Sequence, residues 1–166
     1  MFEVQNVTDG RAYTRTATGV VILSHDHSQV LLITSLKFEN QWVLPKGGLE
    51  PDLTPEENAL KECGEEAGAV VQLYDQVYDN VLFYPESGTH PEKIQREIYF
   101  RAEFISWAQQ WEEYDRRKRQ WRPIGPELKM LLAPHQYEAV INAQQQAVIA
   151  DEVARQLADR DEDLAD

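Results

Sequence analysis

Residues 42–69 read Trp42-Val43-Leu44-Pro45-Lys46-Gly47-Gly48-Leu49-Glu50-Pro51-Asp52-Leu53-Thr54-Pro55-Glu56-Glu57-Asn58-Ala59-Leu60-Lys61-Glu62-Cys63-Gly64-Glu65-Glu66-Ala67-Gly68-Ala69, a short apolar stretch, a diglycine loop and a capped helix. Thr54 suits the N-cap, Pro55 the first helical position, and Glu57 completes a capping box. The helix is predicted to run to about Ala67, where Gly68 supplies a left-handed terminal residue. On that helix Glu62, Glu65 and Glu66 stand three and four positions apart, so they share one face in the last turns. Three carboxylates crowded at the negative end of the helix dipole call for a compensating cation. Oxygen ligands of this kind suit Mg²⁺ or Mn²⁺, and the glycines allow close backbone approach. Taken alone, the glutamates read more readily as a solvated acidic face; the loop and the cap tip the reading toward a site.

Upstream, Arg11, Tyr13 and Arg15 follow the turn signal Asp9-Gly10 and lead into an apolar run, Ala17 to Leu23. That run predicts a strand, and Val30 to Thr34 a second one, joined as a hairpin through His25-Asp26-His27-Ser28. Histidines in such a turn are expected to face solvent. Downstream, Ala69 to Leu73, Gln76 to Tyr84 and Ile94 to Trp107 carry β-rich patterns around the loop Pro85 to Pro91. A basic run, Arg116 to Arg119, precedes Trp121; His135 to about Leu157 has helical character, and residues 161–166 are expected to fray.

Composition narrows the classes. A chain of 166 residues is the size of one domain, so residues 1–150 are read as that domain and 151–166 as an acidic tail. That tail holds seven acids against Arg155 and Arg160. The net charge of −13 argues against general nucleic-acid binding. No run of about 18 apolar residues could span a bilayer, and Met1-Phe2-Glu3-Val4 lacks the basic, then apolar, start of a secretory leader. The expectation is a cytoplasmic protein, with a nuclear pool possible and a monomer favoured. The single cysteine, Cys63, excludes an internal disulfide and reads as a small buried residue.

The central stretch resembles the Nudix family, whose signature is GX5EX7REUXEEXGU with U a bulky aliphatic residue. Gly47 matches the first glycine and Glu62-Cys63-Gly64-Glu65-Glu66-Ala67-Gly68 the EUXEEXG core, with every spacing kept. Leu53 replaces the early glutamate, Lys61 the arginine, and Ala69 is smaller than the usual last residue. The entry Trp42 to Pro51, together with Trp111-Glu112 and Arg117-Lys118-Arg119-Gln120-Trp121, resembles the diphosphoinositol polyphosphate phosphohydrolase branch, which also acts on dinucleoside polyphosphates.

The resemblance implies an α/β Nudix fold, a mixed β-sheet sandwiched between helices, with the box helix on one side and the C-terminal helix on the other. It implies a phosphoanhydride hydrolase in which Glu62, Glu66 and the Lys46 carbonyl hold Mg²⁺ or Mn²⁺ and Glu65 is the general base. Candidate contacts to a polyphosphorylated substrate are Arg15, Ser35, Lys37, Gly47, Gly48, Arg96, Arg117 and Arg119. His135 could approach the site, though a helix-start histidine without catalytic duty is the plainer reading. Two alternatives accompany this expectation: a nucleotide-directed Nudix hydrolase, and a degenerate domain that binds a phosphorylated ligand without cleaving it.

Overall fold

The computed structural model describes residues 4–165; Met1 to Glu3, at the start of the stretch read above for a leader, and Asp166 lie outside the described residues. The elements are β1 (Gln5–Asn6), β2 (Arg15–Leu23), β3 (Gln29–Thr34), β4 (Trp42–Val43), β5 (Lys46–Gly48), α1 (Pro55–Ala67), β6 (Ala69–Tyr84), β7 (Lys93–Trp107), β8 (Arg119–Pro123), α2 (Leu128–Leu131) and α3 (Pro134–Ala165). Among the described residues no helix is long and apolar enough to cross a membrane.

The strands form one mixed sheet in the order β1-β6-β7-β2-β3-β4, with β5 pairing β2 and β8 pairing β3. β2 is its centre: it runs parallel to β7 from Arg15↔Gln95 to Leu23↔Glu103 and takes β5 antiparallel at its other edge. The predicted hairpin between β2 and β3 is present only at its tip, Leu23↔Val30. β5 occupies the rest of that edge, because Gly19 lets Pro45 and Lys46 lie against the strand. A Cβ at Gly19 would fall 2.4 Å from the Pro45 oxygen.

Helices cover both faces, which explains why β2 is an unbroken apolar run rather than an alternating one. Val20 and Ile22 pack with Ile98, Phe100 and the α1 residues Ala59, Cys63 and Ala67. Val21 and Leu23 pack on the other side with Tyr99, Leu128 and the α3 residues Ala139, Val140 and Ala143. Each large aliphatic side chain buried in this way stabilises by about 1.5–3 kcal/mol.

Three local expectations are corrected. Ala69–Leu73 and Gln76–Tyr84 are one strand, carried past Asp75 by register shifts between Leu73 and Tyr78. His25 is solvent-facing, but His27 is buried in a left-handed conformation, its Nε2 2.8 Å from Asp151 Oδ2 and its carbonyl accepting from Gln144. The last helix continues through Ala165, beyond both Leu157 and the point of expected fraying, although from Val148 onward every described residue is exposed.

Candidate active site

The helix α1 begins and ends as its sequence dictates. Thr54 Oγ1 accepts from the Glu57 N–H, Glu57 returns the bond to the Thr54 N–H, and Gly68 at φ 60° donates to Gly64. Between these caps Asn58, Glu62 and Glu66 recur every four residues, forming a polar stripe beside the apolar Ala59, Cys63 and Ala67. Asn58 was missed by sequence reasoning, and that spacing is the signal that could have found it. It ties the loop to the helix by donating to Thr18 Oγ1 at 2.8 Å and to the Gly47 carbonyl at 3.3 Å, and by accepting from the Glu50 N–H.

The glutamates then meet the loop. Glu62 lies directly under Gly47, where an added Cβ would fall 2.2 Å from the carboxylate carbon. Glu66 Oε2 accepts from the Lys46 N–H at 3.0 Å, while its Oε1 is 3.2 Å from Arg117 Nη2. Burial pushes the Glu66 carboxyl up to about 7 despite Arg117, and raises Glu62 as well. Glu65 is more open and holds Lys61 at 2.9 Å; the same lysine is 3.2 Å from Glu50 and 3.8 Å from Glu62. A fourth carboxylate, Glu113, joins from the loop before β8 and binds Arg117 Nε at 3.0 Å.

Such a set tests whether a hard divalent cation fits. Glu62 and Glu66 are carboxylates kept from water beside a backbone turn that admits no side chain, and burial already disfavours their charge. Oxygen donors in that environment suit Mg²⁺ or Mn²⁺. As the side chains stand, no three carboxylate, histidine or cysteine groups among the described residues converge into a coordination shell. Lys61 and Arg117 supply the countercharge in that arrangement.

On the other side of Lys46 the character reverses. A cavity of about 400 Å³ is lined by Ser35, Lys37, Lys46 and Lys93, with Phe38, Trp42 and Tyr84 among its apolar walls. Burial and the charges of Lys46, Lys37 and Arg15 push the Lys93 ammonium down to about 8. Lys93 also sits 4.7 Å over the Tyr84 ring. At the inner end Glu97 is buried against Tyr84, Tyr99, Gln95 and His135. Burial opposes its charge, yet Lys46 and His135 hold the carboxyl well below the usual range. The histidine at the helix start is therefore a buried partner of Glu97.

The residues expected to touch substrate divide accordingly. Ser35, Lys37 and the Lys46 side chain line the cavity, and Arg15 lies against Gly48, where its guanidinium would meet an added Cβ at 2.7 Å. Arg117 stands among the carboxylates. Arg96 instead forms a two-pronged pair with Asp79, at 2.6 and 2.8 Å, on the sheet face opposite Gln95 and Glu97. Arg119 is stacked between Trp107 and Trp111 and donates to the Ala67 carbonyl at 2.8 Å. Lys93, absent from the sequence-based set, is the cation that the fold adds.

The site thus sets a helix carrying buried carboxylates under a glycine turn, across one residue from a lysine-lined cavity. A family profile for the NUDIX domain matches residues 13–146, and the chain belongs to that family. Among curated relatives it is similar to mouse diphosphoinositol polyphosphate phosphohydrolase 3-alpha, 27% identical over 125 residues that span 74% of this chain and 72% of the relative. Its fold is similar to that of a NUDIX hydrolase from Nitrosomonas europaea, with a TM-score of 0.64 at 14% identity over 80% of this chain and 89% of the other. It is also similar to a C. elegans Ap4A hydrolase, with a TM-score of 0.57 at 19% identity over 83% and 99%.

Proposed function

We propose that this chain is a divalent-metal-dependent hydrolase that cleaves a phosphoanhydride bond in diphosphoinositol polyphosphates and in dinucleoside polyphosphates. The observation that carries the reading is the juxtaposition at Lys46: its N–H binds Glu66 while its side chain lines the cavity with Lys37 and Lys93. One phosphate chain lying along that boundary would meet acids on one side and ammonium groups on the other.

Glu62, Glu66 and the Lys46 carbonyl would hold Mg²⁺ or Mn²⁺. Such an ion would neutralise phosphate charge and acidify the attacking water. The chain's own residues do the rest. Lys37, Lys46, Lys93 and Arg15, with the Ser35 hydroxyl, would bind the phosphate oxygens not being transferred and fix the chain's orientation. Gly47 and Gly48 leave the approach open. Glu65 would accept the water proton as a new P–O bond forms and the anhydride bond breaks, its electron pair leaving with the bridging oxygen. Arg117 would offset charge on the transferred group. We read the protein as a cytoplasmic monomer, with nuclear entry open.

The aromatic walls, Phe38, Trp42 and Tyr84, favour a second reading in which nucleotides are the main substrates, since a base could stack there. Product release from inositol pyrophosphates (phosphate), dinucleoside polyphosphates (a pair of nucleotides) and nucleoside triphosphates (phosphate or pyrophosphate), followed by ion-exchange chromatography in Mg²⁺ and in Mn²⁺, tests both. Release from the first two sets supports the proposal, and release from nucleotides alone supports the second reading. Binding without release from any substrate defeats both and leaves a non-catalytic module, the role toward which Leu53 and the Lys61–Glu65 pair lean.

A further inference from the structure

The C-terminal end of α1 presents a problem that its own sequence does not solve. Its last turn contains no basic residue, yet it carries Glu65 and Glu66, with Glu62 one turn earlier, where the dipole is already negative. Its final carbonyls also need donors from outside the helix. Both needs are met by the segment from Trp107 to Arg119. The Glu113 N–H donates to the Glu65 carbonyl at 3.0 Å and the Ala108 N–H to the Gly68 carbonyl at 2.8 Å. Trp111 fills the place that a side chain on Gly68 would take, at 2.4 Å. Arg119 donates to Ala67 O at 2.8 Å and reaches Gly68 O at 3.5 Å.

Arg119 can serve this end because both faces of its guanidinium are covered. It lies 3.8 Å from the Trp107 ring centroid and 3.9 Å from that of Trp111, and β8 fixes its backbone against Ile33. A planar, delocalised cation stacks between two indoles and still directs its edge at a carbonyl, which an ammonium cannot do. It is absent from the lining of the lysine-rich cavity.

We propose that Arg119 is a positioning residue: clamped by Trp107 and Trp111, it supplies the cation missing from the end of α1 and thereby sets the register of Glu65 and Glu66, and it makes no contact with substrate phosphate. The kinetic half of this proposal rests on the hydrolase reading; the structural half does not.

Arg119→Ala and Arg119→Lys test it by two readouts. Hydrogen exchange at the amides of residues 65–68 is expected to quicken about tenfold or more in Arg119→Ala, with α3 amides unchanged and Arg119→Lys intermediate. Steady-state kinetics are expected to show kcat reduced about tenfold with KM within about twofold, again partly restored by lysine. Unchanged exchange at residues 65–68 overturns the clamp. A KM raised about tenfold at constant kcat overturns the positioning role and makes Arg119 a phosphate contact. If the wild-type chain hydrolyses nothing, the hydrolase reading fails while exchange still decides the clamp. If Arg119→Ala does not fold, Arg119→Lys carries both readouts.

Discussion

The two sides of Lys46 carry charge of opposite sign, partly compensated toward α1 and unpaired toward α3. Toward α1, Glu62, Glu66 and Glu113 are largely buried, with Arg117 and Lys61 as their cations. Toward α3, Lys37, Lys46 and Lys93 line one cavity, and among the described residues none of the three has a carboxylate within ion-pair distance. Glu97 lies deeper, committed to Tyr84, Tyr99 and His135. A fold optimised only for stability would have let the two sets neutralise each other, since unpaired buried charge is costly. Keeping them apart leaves one side short of a cation and the other short of an anion. The proposed metal–polyphosphate complex would answer both shortfalls at once.

The strongest way to break this comparison is to remove one side's chemistry. Glu65→Gln and Glu66→Gln keep size and hydrogen bonding but delete the negative charge, and each is expected to lower kcat by about a hundredfold or more. Near-wild-type turnover in both would falsify the assignment of the α1 face to catalysis. On the opposite side Lys93→Gln should act on binding. Losing one charged phosphate contact is expected to raise KM about tenfold or more with kcat little changed. An unchanged KM would show that the cavity does not hold the phosphate chain.

The α1 side was legible in the residues themselves, whereas on the α3 side Arg15, Ser35 and Lys37 were reached only through the family resemblance and Lys93 not at all, for a physical reason. Caps, a capping box and the spacing of the glutamates are local, so Thr54, Glu57, Gly68 and Glu62 to Glu66 announce themselves in one stretch. Lys37, Lys46, Lys93 and Arg15 come from four separate segments. Arg15 and Lys93 meet because β2 and β7 run parallel in a register that puts Arg15 beside Gln95, two residues beyond Lys93, and Lys46 joins them through the pairing of β5 with β2. No periodicity encodes that pairing. The basic run before Trp121 divides in the fold: Arg117 reaches Glu66, while Arg119 stacks between the nearby Trp107 and Trp111 and finds its carbonyl partner, Ala67, far back in the chain. His27 was misjudged because only Asp151 and Gln144, more than a hundred residues on, account for its burial.

Acidity sharpens the contrast more gently. Neighbouring cations and burial hold Lys93 down to about 8, so it loses its proton in mildly alkaline solution. Two trends of opposite sign follow. Phosphate affinity should fall, by several-fold in KM, as pH rises through about 8, because the ammonium that attracts phosphate is discharged. Folding stability contributed by this residue should rise between about 8 and the ordinary lysine value of 10.5, where the unfolded chain still binds the proton and the folded chain does not. KM measured against pH, beside thermal melts over the same range, checks both signs. In Lys93→Gln each should flatten, and an unaltered KM profile in that variant would assign the titration to another group.

The smallest expected effect concerns Lys61, which stands where the family signature has arginine. Its Nζ lies 2.9 Å from Glu65 and 3.2 Å from Glu50 and is about one-third exposed, so it acts as a point charge that water partly screens. A screened pair of this kind contributes little to stability. Lysine can therefore satisfy the charge while leaving the carboxylate of Glu65 free to rotate about a single contact. Arginine at this position could grip Glu50 and Glu65 with separate prongs of a planar fork, fixing the proposed general base more narrowly. Lys61→Arg is accordingly expected to raise kcat by about two- to fivefold without changing KM. Equal turnover in the two forms would mean that the positive charge, and not its geometry, is all that the base requires.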